Sequence, residues 1–149
     1  MQIYVHAPSQ TLDLLDDERL LIRRYVVSTS KFGLGFEPGS FKTPTGRFRI
    51  GEKIGDGAEA GMIFVSRTPT GQLGRGTDAE DHVQTRILWL EGLDPENANT
   101  RDRYIYIHGT PARAELGLPS SHGCVRMADD DVIDLFDRVE VGTTVVIEG

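Results

Sequence analysis

Tyr104-Ile105-Tyr106-Ile107-His108-Gly109-Thr110 and Ser121-His122-Gly123-Cys124-Val125-Arg126-Met127, with twelve residues between His108 and Ser121, decide how this chain is read. The first segment alternates with the period of a β-strand. Tyr104, Tyr106 and His108 share one face, and Ile105 and Ile107 occupy the other. Burying the isoleucines would hold His108 rigidly at a strand end, facing a cleft. The second segment carries Cys124, the sole cysteine of the chain, flanked by glycine and accompanied by histidine and arginine. A thiol in such company is a candidate nucleophile.

A cysteine attacks as its thiolate, and an unperturbed pKa of ~8.5 leaves only a few per cent ionised at neutral pH. Something nearby must favour the anion. The helix predicted from Asp129 begins about one turn after Cys124, where its dipole has faded. An imidazole is the better candidate. His108 is preferred as base because its strand fixes it. His122, two residues from the thiol, is placed either to point away or to contact substrate. The Gly109 carbonyl can accept the Nδ1 proton of His108 and set its tautomer. Gly123 lets the main chain approach a reacting carbonyl, so the N–H groups of Gly123 and Cys124 are candidates for an oxyanion hole. Arg126 offers a planar fork for a carboxylate, or an ion pair with an aspartate of the following helix. Two other readings of Cys124 stay open: a small packed hydrophobe, and a zinc ligand alongside His108 and His122. The polar neighbours tell against the first, and no fourth ligand marks the second. The preferred reading requires neither metal nor cofactor.

Outward from these segments the pattern is mainly β. Strand periodicity runs through residues 3–6, 11–15, 19–27, 47–50, 62–66, 85–90, 104–108 and 143–147. One helix is predicted, with Val132, Leu135, Phe136 and Val139 at i, i+3, i+4 and i+7. Asp129, Asp130 and Asp131 fill its first turn and Arg138 lies near its end, as the helix dipole favours. The aspartates read as a solvated helix start, with a metal site as the lesser alternative. Residues 55–81 and 94–103 read as irregular, and loops so long in a small domain are usually functional lids or disordered. Lys42-Thr-Pro-Thr-Gly46 and Arg67-Thr-Pro-Thr-Gly71 nearly repeat, which shared turn chemistry explains better than duplication. His6 and His82 read as surface or loop residues.

The 149 residues suit one domain spanning residues 1–149. A net charge of −7 argues against nucleic acid or an anionic membrane as partner, and an anionic small substrate would need a local cationic group. The composition fixes no oligomeric state. Residues 1–8 show neither a basic leader nor a long apolar run, and no apolar stretch approaches the ~20 residues of a membrane helix. A cytoplasmic location is expected on that basis, or a periplasmic one were a leader to precede this chain.

The signature from His108-Gly109-Thr110 to Ser121-His-Gly-Cys-Val-Arg-Met127 closely resembles that of the L,D-transpeptidase catalytic domain family of bacterial cell-wall enzymes. Lys42-Thr-Pro-Thr-Gly-Arg-Phe48 and the opening strands resemble the family too, so the likeness spans nearly the whole chain. The resemblance implies a β-sandwich-like fold with long loops over the cleft and one main helix after the catalytic motif. It implies thiol attack on the bond between an L-centre, usually meso-diaminopimelate, and D-alanine in a peptidoglycan tetrapeptide stem. Cys124 would be the nucleophile and His108 the base, with Gly109 orienting it. His122, Gly123 and Cys124 would line the oxyanion region, and Ser121 and Arg126 would support substrate or loop geometry. A cytoplasmic member would meet soluble muropeptides, so the expected activity is an L,D-carboxypeptidase working in muropeptide recycling, with cross-linking as the alternative. A non-catalytic stem-binding module and a zinc hydrolase are the remote readings.

Overall fold

The computed structural model describes residues 1–75 and 82–149. Ten strands and one α-helix build it. The strands are β1 (Gln2–His6), β2 (Thr11–Leu15), β3 (Leu21–Ser28), β4 (Gly46–Ile54), β5 (Met62–Val65), β6 (Thr68–Leu73), β7 (Gln84–Gly92), β8 (Tyr106–Gly109), β9 (Val125–Met127) and β10 (Thr144–Glu148), with α1 (Asp129–Arg138) between β9 and β10. The order in the sheet is β4-β10-β1-β2-β3-β9-β8-β7-β5-β6, and β4 also pairs with β7. That extra pairing closes the sheet on itself, with the β5–β6 hairpin left hanging from β7. The expected mainly β, sandwich-like architecture is thus one continuous curled sheet. Its closing strand, β4, serves two partners: residues up to Arg49 pair with β10 and residues from Phe48 onward with β7.

Alternation sends one face of each strand inward. Ile3 and Val5 of β1, Leu12 and Leu14 of β2, Phe48 and Ile50 of β4, and Val145 and Ile147 of β10 enter one aliphatic core. Val132, Leu135, Phe136 and Val139 of the helix join it, the stripe that the spacing predicts. The C-terminus of α1 is capped by Lys53 of β4, whose Nζ donates to the carbonyls of Phe136 and Val139 at 2.7 Å each.

Strand β7 is buried on both faces. Leu88 and Leu90 point into the main core, while Ile87 and Trp89 join Phe64 and Tyr106 in a second, smaller cluster. The β5–β6 hairpin creates this second interior by laying Phe64 over β7. The expected irregular segment 55–81 therefore contains a strand pair. Residues 76–81 of it lie outside the described residues. Segment 94–103 forms bends and turns. It winds through successive turns tied down by Asn97, whose Nδ2 donates to Thr45 and Arg47 carbonyls at 3.0 Å and whose Oδ1 accepts from the Asp94 N–H at 2.9 Å. Among the described residues, no helix is long and apolar enough to cross a membrane.

Candidate active site

Parallel pairing of β8 with β9 brings the two signature segments together. Ile107 pairs with Val125 and His108 with Arg126, so Tyr106 lies beside Cys124. Paired residues on neighbouring strands point to the same face. Ile107 and Val125 enter the main core, and Tyr106 and Cys124 meet on the other side with Phe64, Ile87 and Trp89. By alternation His108 shares that second face, one diagonal step from Cys124. Strand spacing and rise put such neighbours ~8 Å apart at Cα, within reach of a long side chain.

The sulfur is half-buried. Two main-chain groups address it: the Tyr106 N–H donates to Sγ at 3.3 Å, and the thiol donates to the Tyr104 carbonyl at 3.4 Å. An N–H aimed at sulfur favours the thiolate, whereas a carbonyl acceptor favours the thiol. His108 is only 2% exposed, deeper than a cleft-facing strand end would be, because β8 runs between β7 and β9 with both faces covered. Its Nδ1 lies 2.6 Å from the Gly109 carbonyl. A carbonyl only accepts, so Nδ1 carries the proton and Nε2 is the basic nitrogen of the neutral ring. Gly109 must be glycine here, since a Cβ would fall 2.7 Å from Asp129 Oδ1 and 2.8 Å from the Gln84 carbonyl.

The thiol loop is held from below. Gly123 has φ +123°, a conformation that L side chains rarely adopt. Its N–H donates to Ser121 Oγ at 3.3 Å, so Gly123 spends on the loop itself the donor expected for an oxyanion. Ser121 Oγ donates to the Cys124 carbonyl at 2.7 Å, and the fully buried Thr43 donates to the Gly123 carbonyl at 2.9 Å. Arg126 is 1% exposed, and its guanidinium donates to Glu115 at 2.9 Å, to Ser28 at 3.2 Å and to the Ser120 hydroxyl. Ser121 and Arg126 thus bear on loop geometry, with no surface for substrate. Glu115, with which Arg126 forms an ion pair, belongs to the preceding turn. His122 is exposed and packs near Phe32 and Phe41, with ring centroids 5.9 Å away in each case.

Tyr104 departs from the expected face. Its φ of +57° ends the extended run, so β8 begins at Tyr106 and the Tyr104 ring, half exposed, lies 5.9 Å from Trp89. Arg67, at the tip of the β5–β6 hairpin, sits over the Trp89 and Tyr104 rings and donates to the Tyr106 hydroxyl at 3.1 Å. Burial pushes the Tyr106 phenol above its ordinary pKa, against the pull of Arg67. Arg103 is the second cation at the site. Burial holds its guanidinium below the usual range, and the Cys124 thiolate opposes that shift. Arg103, Phe41, Ile105 and His122 line a cleft of about 180 Å³. Sequence reasoning gives Arg67, Arg103 and Thr43 no part in the site. The cue for Arg103 is that it immediately precedes the Tyr104–His108 run, and for Thr43 that it lies in the family-like stretch Lys42–Phe48.

Among the described residues, no three His, Cys, Asp or Glu side chains are grouped to hold a metal ion. Asp129 instead accepts from Gln84 Nε2 at 3.0 Å and from the Thr85 hydroxyl. His6 is less plain than a surface residue, lying between Glu148 at 3.1 Å and Asp13 at 3.4 Å.

Comparison with known proteins agrees with this fold. YqjB of Bacillus subtilis, whose name places it among the L,D-transpeptidases, is 36% identical over 91 residues, covering 54% of this chain and 51% of that protein. An L,D-transpeptidase from Mycobacterium smegmatis shares the fold with a TM-score of 0.62 at 20% identity, covering 99% of this chain and 58% of its own. L,D-transpeptidase 3 from Mycobacterium tuberculosis, in complex with a faropenem-derived adduct, gives a TM-score of 0.63 at 17% identity, covering 99% and 59%. The matches thus span 51–59% of the length of these three proteins. The sequence profile of the YkuD family, the L,D-transpeptidase catalytic domain, matches residues 1–147. On that match, over a fold and signature that agree with it, the chain belongs to the L,D-transpeptidase catalytic domain family.

Proposed function

We propose that this domain is a cysteine acyltransferase that cleaves the bond between the L-centre of meso-diaminopimelate and D-alanine in peptidoglycan tetrapeptide stems, with water as the acceptor. The observation that carries this reading is the parallel β8–β9 pairing, which sets His108 and Cys124 on one face with Nδ1 of the histidine engaged by Gly109. In the first half-reaction Nε2 takes the thiol proton as Sγ attacks the scissile carbonyl. The tetrahedral intermediate collapses to a thioester, and the imidazolium returns the proton to the departing D-alanine amine. In the second half-reaction His108 takes a proton from water, which attacks the thioester. The thiol is restored and a tripeptide leaves.

Water is favoured as acceptor because it needs no binding site of its own, whereas transfer to an amine needs a second stem held at the thiol; the cleft that His122 of the thiol loop lines with Phe41, Arg103 and Ile105 is about 180 Å³. The names of the relatives favour a second reading, transfer to an amine of another stem. Mass spectrometry of a defined tetrapeptide muropeptide incubated with the protein separates the two. Tripeptide plus D-alanine is expected. Dimers without tripeptide would replace water by an amine acceptor. A Cys124→Ala variant with full activity would overturn the thiol chemistry. The faropenem adduct of the Mycobacterium tuberculosis neighbour suggests a further check: a carbapenem should add its mass to this chain and not to Cys124→Ala.

A further inference from the structure

We propose that Arg103 is a positioning residue for the nucleophile: its guanidinium supplies a fixed positive charge that favours the Cys124 thiolate, and the same group ties the segment from Gly35 to Lys42 against the loop that carries the thiol. The geometry runs through a chain of contacts. Arg103 Nη2 donates to the Lys42 carbonyl at 2.7 Å and Nη1 to the Gly35 carbonyl at 3.2 Å. The carbonyls of Phe41 and Lys42 in turn abut Gly123, lying 3.6 and 3.5 Å from where its Cβ would be. The next residue, Thr43, bonds the Gly123 carbonyl. On its other side Arg103 is followed by Tyr104, whose left-handed backbone delivers its carbonyl to the sulfur. The residue next to Arg103 in the chain thus touches Sγ.

The direction of the effect follows from the groups around the thiol. From β8 it meets Tyr106, whose phenol is joined to Arg67 of the hairpin, and His108 lies on the same face one diagonal step away. Its own loop contributes His122, and the preceding turns contribute Asp102, Arg103 and Tyr104. The Tyr104 carbonyl stabilises the protonated sulfur. The Tyr106 N–H and the Arg103 guanidinium, which interacts electrostatically with Cys124, stabilise the anion. Arg103 keeps its charge across the physiological range, even with its affinity for the proton reduced by burial, because an arginine starts so high. Removing that charge must therefore raise the pH at which the thiol ionises.

The consequence for turnover rests on the acyl-transfer reading, but the charge effect can be read on the thiol without substrate. The experiment follows alkylation of Cys124 by iodoacetamide across pH, using intact-protein mass, in the wild-type protein and in Arg103→Gln, Arg103→Met and Arg103→Lys. Both neutral variants should raise the ionisation midpoint by ~0.5–1 pH unit. Arg103→Lys should stay near the wild-type midpoint, although it cannot reproduce the paired bonds to Gly35 and Lys42. A Gln or Met midpoint equal to wild type would overturn the proposal. So would a Lys midpoint displaced as far as Gln, or unfolding of both neutral variants, since either outcome makes Arg103 a structural strap and nothing more. If the acyl-transfer reading fails instead, wild-type protein leaves tetrapeptide intact while the alkylation midpoints still separate.

Discussion

The two faces of β8 and the residues just before it make opposite uses of one short stretch. Ile105 and Ile107 enter an aliphatic core shared by strands around the closed sheet and by α1. Tyr106 and His108 face a smaller interior in which polar groups are individually oriented: Nδ1 by Gly109, the phenol by Arg67, the neighbouring sulfur by two main-chain groups. Burial free energy is proportional to area and indifferent to direction, so the first face supplies stability. Hydrogen bonds fix direction while adding little net stability, so the second supplies reactivity. The comparison teaches that here fold and chemistry are separable by residue parity, even between adjacent positions.

Substitutions on each face should break that separation if it is false. The largest effect is expected at His108. His108→Gln keeps a donor for the Gly109 carbonyl but cannot take the thiol proton, so release of D-alanine should fall ~10²–10⁴-fold. Its unfolding temperature should change less than that of Ile107→Ala. The latter removes a fully buried side chain and should cost about 2–5 kcal/mol of stability, measured by denaturant unfolding. Its turnover per folded molecule should stay close to wild type. A collapse of turnover in folded Ile107→Ala, or near-normal turnover in His108→Gln, would show the two faces to be coupled.

Parity was legible in the sequence because alternation is a local property. So were the helix, whose stripe at Val132, Leu135, Phe136 and Val139 is buried as its spacing predicts, and the signature that carries Cys124 and His108. Three features were not. The β4–β7 closure joins residues far apart in sequence, and nothing in either strand names its partner. Strand β6 contains Pro69 and Gly71, which argue against a strand except at an edge, and an edge is where it lies. Arg103 reaches the site only because Tyr104 turns left-handed, a choice no pattern of hydrophobicity records.

The near-repeated pentads sharpen the same lesson. Thr43 opens one Thr-Pro-Thr-Gly core and is fully buried, whereas in the other core its counterpart Thr68 and the following Thr70 are both exposed. Thr43 donates to the Gly123 carbonyl and accepts from the Ser30 N–H at 3.0 Å, so Thr43→Val leaves two buried main-chain groups unsatisfied. That should cost ~1–3 kcal/mol in denaturant unfolding and slow D-alanine release as well, because the loop it clamps carries the thiol. Thr70 donates to the Ile63 carbonyl at 2.9 Å in a setting where water can replace it, so Thr70→Val should leave both readouts nearly unchanged. Equal losses from the two substitutions would mean that burial does not decide what a shared turn sequence is worth.

The smallest of the expected losses lies at Asp13 on β2, where charge serves the fold alone. Arg24 donates to its carboxylate through Nε at 2.6 Å and Nη2 at 2.9 Å, and these bonds hold the Asp13 carboxyl below its ordinary range. A depressed folded-state pKa means that the folded protein binds this proton less readily than the unfolded chain. The stabilisation is therefore complete above the ordinary carboxyl pKa of ~3.9 and is lost as pH falls through the lower folded value. Arg24 is largely exposed, so water screens the pair, and Asp13→Asn should lower the unfolding temperature at neutral pH by no more than ~2–4 °C. The gap between wild type and variant should close as the pH approaches the folded pKa from above. D-alanine release per folded molecule should match wild type throughout, since no contact described for Asp13 reaches the strands that carry the thiol and its base. A gap that instead widens in acid would mean that the carboxylate is a burden to the folded state, and a loss of turnover would carry the electrostatics of this far strand into the site.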